Sequence, residues 1–263
     1  MRALHFRYAC AVQYRDYLLW GLVSVLLVTF TLLNGLITHA IALGYEGEAV
    51  ERVSYSYLYS FSGRVGYVQP LILSAYMTTA SLTSRQAVRL CLLGGGKDNA
   101  FRVLWVSSVL FGGGVGSLGV VINHAVSAFF LYSTGYPTKV FADNQLEPSL
   151  RMIALQWIWA LLGAGLGFII RNLAILTGII LTYALFIEPT LSAVSNQSQS
   201  LMSFTKWLPG PLNWASSWDA GAGSASIRAA IGLPGNYAVA VMLIYAVLIF
   251  VFGYTQFRNR ALR

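Results

Sequence analysis

The stretch SLTSRQAVRLCLLGGGKDNAFRV, residues 81–103, is a short basic island between two long apolar runs. Residues 83–93 have the pattern of a short amphipathic helix, and the glycines at 94–96 end it. The island contains four basic residues and a single acid: Arg85, Arg89, Lys97, Arg102 and Asp98. The rest of the chain is predicted to hold this island at the cytoplasmic surface of a membrane.

The composition predicts a polytopic membrane protein. Only 10% of the 263 residues are charged and 57% are hydrophobic, whereas a soluble domain carries about 25% charged residues. The net charge of +8 could indicate a nucleic-acid partner. However, the basic residues stand at the ends of apolar runs, as topology signals do, so no nucleic acid is expected to bind.

The apolar runs predict one all-α transmembrane domain over residues 1–263. A helix needs about 20 apolar residues to cross the hydrocarbon layer. Six spans are expected, at about 17–43, 60–82, 103–133, 150–170, 173–192 and 236–256. Residues 2–16 are predicted to form an interfacial helix, and the Trp- and Pro-containing residues 193–235 a re-entrant segment in the outer leaflet. Most Lys and Arg residues fall on the side of the two termini, which predicts that both termini are cytoplasmic.

Two glycine-rich motifs match nucleotide-binding patterns only in part. GVGSLG, residues 114–119, fits GxGxxG but lies inside an apolar span, so it indicates close helix packing, as do Gly163 and Gly167. LGGGKD, residues 93–98, lacks the residues of a phosphate loop. The two cysteines, Cys10 and Cys91, form no metal-binding pattern. The chain is therefore expected to hold no nucleotide, metal or other cofactor of its own.

Two ionisable residues of the spans allow more than one interpretation. His124 is interpreted as a helix–helix hydrogen-bonding residue, with a functional role as the alternative. Glu188 either lies at the outer interface or lines an exit gate, because a buried carboxylate must meet water, a helix terminus or a cation. The sequence contains no catalytic constellation that can be placed at one membrane depth, so we do not expect an enzyme.

Four motifs follow one another in a recognisable order. They are TSRQAVRL at 83–90, FIIRNLA at 168–174, FIEPTL at 186–191 and LPGP at 208–211. In this order the chain resembles the permease subunits of ABC exporters of the ABC-2 type. The resemblance implies a plasma-membrane permease that pairs with an identical or homologous permease. Two partner ATPase subunits would bind ATP and Mg²⁺.

The resemblance also implies which residues act. The short helix would receive the ATPase through Thr83, Ser84, Arg85, Gln86, Val88, Arg89 and Leu90. The substrate path would be lined by Asn34, Tyr67, Gln69, Tyr76, Thr182, Tyr183, Phe186 and Glu188. This mostly uncharged path suits an amphipathic or hydrophobic cargo, such as a drug, a peptide antibiotic or a lipid-like molecule. The alternatives are a secondary carrier or channel, and a membrane assembly factor without transport activity.

Overall fold

The computed structural model describes residues 16–44, 59, 66–84, 86–92, 96–138, 143–195, 203–217 and 234–259. Over these residues the chain is helical and contains no strand. The helices are α1 (Tyr17–Gly44), α2 (Val68–Thr83), α3 (Gln86–Leu90), α4 (Gly96–Ser133), α5 (Asp143–Ile169), α6 (Leu173–Thr182), α7 (Glu188–Ser195), α8 (Pro209–Ser217) and α9 (Gly235–Asn259). A π-helical segment, Tyr183–Ile187, joins α6 to α7.

Five helical stretches of the described chain are long and apolar enough to cross a membrane. They are Tyr17–Ala40, Gly96–Ser133, Leu146–Ile169, Leu173–Leu191 and Gly235–Asn259. This finding confirms the predicted all-helical, multi-pass membrane protein. The predicted span at 60–82 corresponds to α2, whose 16 residues cover only about 24 Å. Residues 60–65, residues 2–15 of the predicted interfacial helix and much of 193–235 lie outside the described residues.

Helix α2 is the centre of the bundle. It packs against α1, α4, α5 and α6, and three quarters of its 16 residues are buried. Gly163 and Gly167 of α5 allow this helix to pack closely on α2, because a side chain at either position would clash with α2. A Cβ atom at Gly163 would lie 2.2 Å from the Leu71 carbonyl oxygen, and one at Gly167 would lie 2.7 Å from Thr78 Cβ. The prediction that these glycines form a close-packing face is therefore confirmed, with α2 as the partner helix.

The glycines of α4 serve the same packing. Gly112 lies against Ser74 and the Pro70 carbonyl of α2, while Gly113 lies against the Trp157 ring of α5. Gly119 also faces α2, at the side chain of Gln69. Within the GxGxxG match, Gly116 and Gly119 pack against α2, whereas a Cβ atom at Gly114 would meet nothing within 4 Å, so the prediction of close packing holds for two of its three glycines.

The bundle has two ends, which we name after the short helices that lie there. At the α3 end, Lys97 Nζ donates to the Arg258 carbonyl at 3.1 Å, and the Tyr254 hydroxyl donates to Asp98 Oδ1 at 2.9 Å. These bonds join the start of α4 to the finish of α9. At the α8 end, α8 packs on the beginning of α9 and on α5.

Candidate functional site

Helix α3 is anchored at the α3 end by its apolar face. Leu90 and Ala87 are fully buried in a cluster with Phe101 of α4, Phe168 of α5 and Phe257 of α9. The Phe101 ring centroid lies 4.5 Å from that of Phe168 and 5.6 Å from that of Phe257. This short helix is therefore in contact, through one aromatic cluster, with three of the long helices.

The predicted coupling residues divide between two helices. The sequence predicted one helix over 83–93, whereas α2 continues to Thr83 and α3 occupies Gln86–Leu90. Thr83, Ser84 and Arg89 are exposed, Val88 is half-buried, and Gln86 and Leu90 are buried. Arg85 lies outside the described residues. Gly96, at the beginning of α4, has a φ of +63°, which favours glycine there.

A small cavity of about 140 Å³ lies beside α3. Its wall includes Asp16, Tyr76, Ser84 and Gln86. The Tyr76 hydroxyl donates to Asp16 Oδ2 at 2.7 Å, and Asp16 Oδ1 accepts from the main-chain nitrogen of Leu18 at 3.0 Å. Asp16 therefore caps α1 and fixes the start of this helix to α2. The sequence analysis did not identify Asp16, although an Asp directly before an apolar run is a typical helix-start signal.

Cys91 follows α3 directly and gives a chemical probe of this end. Burial raises the pKa of the Cys91 thiol, and nearby Lys97 opposes that shift in part. Because the thiolate reacts, alkylation by N-ethylmaleimide should accelerate about tenfold per pH unit, with no plateau between pH 7 and 9. Mass spectrometry of a Cys10→Ser background, in which Cys91 is the remaining thiol, measures this rate. A rate that levels off by pH 8 would contradict the raised pKa.

Glu188 is turned into the protein by a local change of helix type. Pro189 has no N–H to continue an α-helix, and the turn before it is π-helical. The Glu188 N–H donates to the Tyr183 carbonyl, five residues earlier. Such a π-helical turn shifts the phase of the following residues and is frequent at functional sites.

The carboxylate of Glu188 lies in a buried cluster at the α8 end. It accepts a hydrogen bond from the Tyr67 hydroxyl at 2.5 Å, and only 7% of the residue is exposed. Its oxygens also lie directly against Gly210 in the first turn of α8, where a Cβ atom would be 1.9 Å from Oε1. The positive end of the α8 dipole favours a carboxylate at this position. A helix terminus and a hydroxyl group thus surround the acid, in agreement with the requirement stated from the sequence.

Trp159 extends this cluster to α5. The Tyr67 ring stacks on Trp159 at a centroid distance of 4.4 Å, and Trp159 Nε1 donates to Asn213 Oδ1 of α8 at 2.8 Å. We name Tyr67, Trp159, Glu188, Gly210 and Asn213 the acid cluster. Trp159 and Asn213 were missed in the sequence, which gives no local signal for this pairing.

The other predicted path residues lie elsewhere. Asn34 Nδ2 donates to the Asn123 carbonyl at 2.9 Å and to Ser127 Oγ at 3.0 Å, between α1 and α4. Gln69 Nε2 donates to the Leu26 carbonyl at 3.3 Å. Thr182 and Phe186 are exposed. The structure therefore brings Tyr67 and Glu188 together, with Tyr183 close enough to both to interact electrostatically, but not Asn34, Gln69 or Tyr76.

His124 makes the helix–helix contact that the sequence indicated. Its Nε2 lies 3.0 Å from Ser149 Oγ of α5, and its Nδ1 lies 2.9 Å from the Val120 carbonyl oxygen. Because a carbonyl oxygen only accepts, Nδ1 carries the proton and Nε2 accepts from Ser149. The Tyr59 ring stacks on the imidazole at 5.1 Å. His124 thus joins α4 to α5.

Comparison with known proteins adds no assignment. No family model matches the sequence, and no curated protein matches it significantly. Among the described residues, no group of three or more His, Cys, Asp or Glu side chains could hold a metal ion. The helices, the anchored helix α3 and the acid cluster are therefore the features from which a function is inferred.

Proposed function

We propose that this protein is the membrane-spanning permease subunit of an ATP-driven exporter of the ABC-2 type. In this proposal two permeases, identical or homologous, associate with two ATPase subunits that bind ATP and Mg²⁺. The cargo is amphipathic or hydrophobic. The chain crosses the plasma membrane six times, with α2 as the second span and both termini in the cytoplasm.

The observation that carries the proposal is the anchoring of α3. Leu90 connects this helix to the aromatic cluster of Phe101, Phe168 and Phe257, while Arg89 remains exposed at the surface. Packed side chains transmit a displacement because close-packed interiors have low compressibility. A partner that pushes on α3 would therefore move α4, α5 and α9 together. This is the mechanical property that an ATPase-coupling helix requires.

The acid cluster supports an exit gate at the opposite end. The Glu188–Tyr67 hydrogen bond joins the end of the fifth proposed span to the beginning of α2, and Gly210 and Asn213 attach α8 to the same point. We assign this cluster as the contact that closes the gate in the resting state. Movement of α2 relative to α7 would break the contact and open a path at the α8 end.

Charge reversal at Arg89 tests the proposal. Arg89→Glu should lower the ATP hydrolysis of the purified complex about tenfold or more, because a like-charge contact in an interface costs several kcal/mol. The measurement is vanadate-sensitive ATP hydrolysis by the tagged chain and its co-purified subunits in lipid nanodiscs. Lys206→Glu, at the α8 end, is the matched charge reversal and should leave hydrolysis unchanged.

Three outcomes would contradict the proposal. ATP hydrolysis by the isolated chain would exclude a subunit without its own catalytic site. Transport driven by an ion gradient without ATP would favour a secondary carrier or channel. Unchanged hydrolysis and co-purification in Arg89→Glu would exclude α3 as the docking helix.

A further inference from the structure

An apolar cavity of about 380 Å³ lies between α5, the α6–π segment and α9. Its wall is formed mainly by aliphatic and aromatic side chains: Trp159, Leu162, Leu166, Ile179, Tyr183 and Ile249. We propose that this cavity binds one acyl chain of a membrane lipid. The proposal does not depend on the transport function, and it assigns a lipid site to the lipid-facing surface of a single chain.

The chemistry of the wall selects a hydrocarbon. The side chains that line the cavity expose only carbon to it. The Tyr245 hydroxyl donates to the Trp207 carbonyl at 2.9 Å, so only the aromatic ring of Tyr245 faces the cavity. A water molecule needs two to four polar partners, which this wall does not offer. An apolar cavity of about 150 Å³ already takes benzene, so a volume of 380 Å³ is ample for part of an acyl chain.

The mouth of the cavity shows where the ligand comes from. Two of the lining residues, Ile179 and Leu248, are 52% and 61% exposed, and both lie in membrane-crossing helices. The cavity therefore opens sideways into the hydrocarbon layer and not to water. Bilayer lipid is the molecule that supplies a hydrocarbon chain at this position. A soluble apolar ligand would first have to enter the bilayer.

The cavity runs along the helices, as an acyl chain does. Its α5 wall extends from Trp159 to Leu166, which is about 10 Å of helix. Pro209 and Tyr245 line the end nearer α8. Lys206, whose Nζ lies 5.5 Å from the centroid of the Trp207 ring, stands at this same end. A lipid with its chain in the cavity is thus expected to have its headgroup towards the α8 end.

The cavity also adjoins the acid cluster. Trp159 belongs to both, and the lining residues Tyr183 and Pro209 are next to the segments that hold Glu188 and Gly210. An acyl chain in the cavity would therefore pack directly against the elements that keep the carboxylate buried. This position distinguishes the cavity from the smooth lipid-facing surface of α9.

Photocrosslinking tests the assignment. The tagged protein is placed in nanodiscs of phosphatidylglycerol that carries a diazirine in the middle of one acyl chain, and adducts are mapped by mass spectrometry. We expect adducts to concentrate on the peptide that contains Leu162 and Leu166. Ile179→Trp should lower their yield about tenfold, because the indole ring fills the mouth. Ile175→Trp, one turn away, 56% exposed and outside the cavity, should leave the yield unchanged.

A second pair of variants on α9 keeps the test decisive if Ile179→Trp does not fold. Leu248→Trp should reduce labelling in the same way, and its neighbour Val247→Trp, 51% exposed and outside the lining, should not. Equal labelling of the cavity and of the outward face of α9 would overturn the proposal. So would equal yields within each pair.

Discussion

Gly163→Val is expected to destabilise the protein severely, because the α-carbon of Gly163 lies against the main chain of α2. A Cβ atom there would stand 2.2 Å from the Leu71 carbonyl oxygen and 2.9 Å from its carbon. The clash is with main-chain atoms of Leu71, so no change of side-chain rotamer relieves it, and α5 must move away from α2. Overpacking of a core costs about 1–3 kcal/mol and occasionally more. Since total stability is about 5–15 kcal/mol, a loss centred on the middle helix should be severe.

The measurement is size-exclusion chromatography of a green-fluorescent-protein fusion in mild detergent. The monodisperse peak should be lost for Gly163→Val. Gly178→Val is the matched control, because Gly178 lies in α6 and a Cβ atom there meets nothing within 4 Å. That variant should keep a peak close to that of the parent protein. Equal peaks for the two variants would mean that α2 and α5 do not approach as described.

Tyr67→Phe is expected to produce the second largest loss, because it leaves the buried Glu188 carboxyl without its hydroxyl donor. Removing one partner of a buried polar pair costs about 1–3 kcal/mol, and more when the remaining group is charged. Glu188→Leu should also destabilise, since it leaves the Tyr67 hydroxyl unpaired. The double variant Tyr67→Phe/Glu188→Leu should be less destabilised than the sum of the two single variants, because neither polar group remains.

The free energy of unfolding, measured by denaturant titration in mixed micelles, completes this double-mutant cycle. A coupling of about 1 kcal/mol or more is expected for residues in direct contact. Tyr237→Phe provides the control, since Tyr237 is an exposed tyrosine of α9 near the same end of the bundle. Strict additivity of the two single variants would mean that the hydrogen bond does not stabilise the protein.

The sequence predicts the helices better than their partners. Long uncharged runs of apolar residues are a local property, and they predicted the all-helical membrane protein. The glycine faces were also readable, because small residues four apart mark close helix approach. The sequence did not indicate that α2 is the helix that packs on Gly163. It also did not predict that α2 is short, because the apolar pattern continues towards the N-terminus into residues that lie outside the described chain.

The acid cluster shows why the site was only partly predictable. Tyr67 and Glu188 were both selected as path residues, yet they are 121 positions apart and nothing local indicates that they bond. Trp159 and Asn213 escaped notice for the same reason. Conversely, the resemblance that placed Asn34 and Gln69 with them carried no information on helix rotation. Those side chains face α4 and α1, and the rotation of a helix is decided by packing.

The π-helical segment makes the orientation of Glu188 depend on the winding of the turn before it. Glu188 faces inward because the turn at Tyr183–Ile187 holds one residue more than an α-helical turn would. One residue corresponds to about 100° of helix rotation. Rewinding the same residues as an α-helix would therefore swing the carboxylate out of the protein, whereas deletion of one residue from this turn would restore an α-helical turn and leave Glu188 facing inward. The burial of this acid thus depends on how the preceding turn is wound as well as on the identity of the residue.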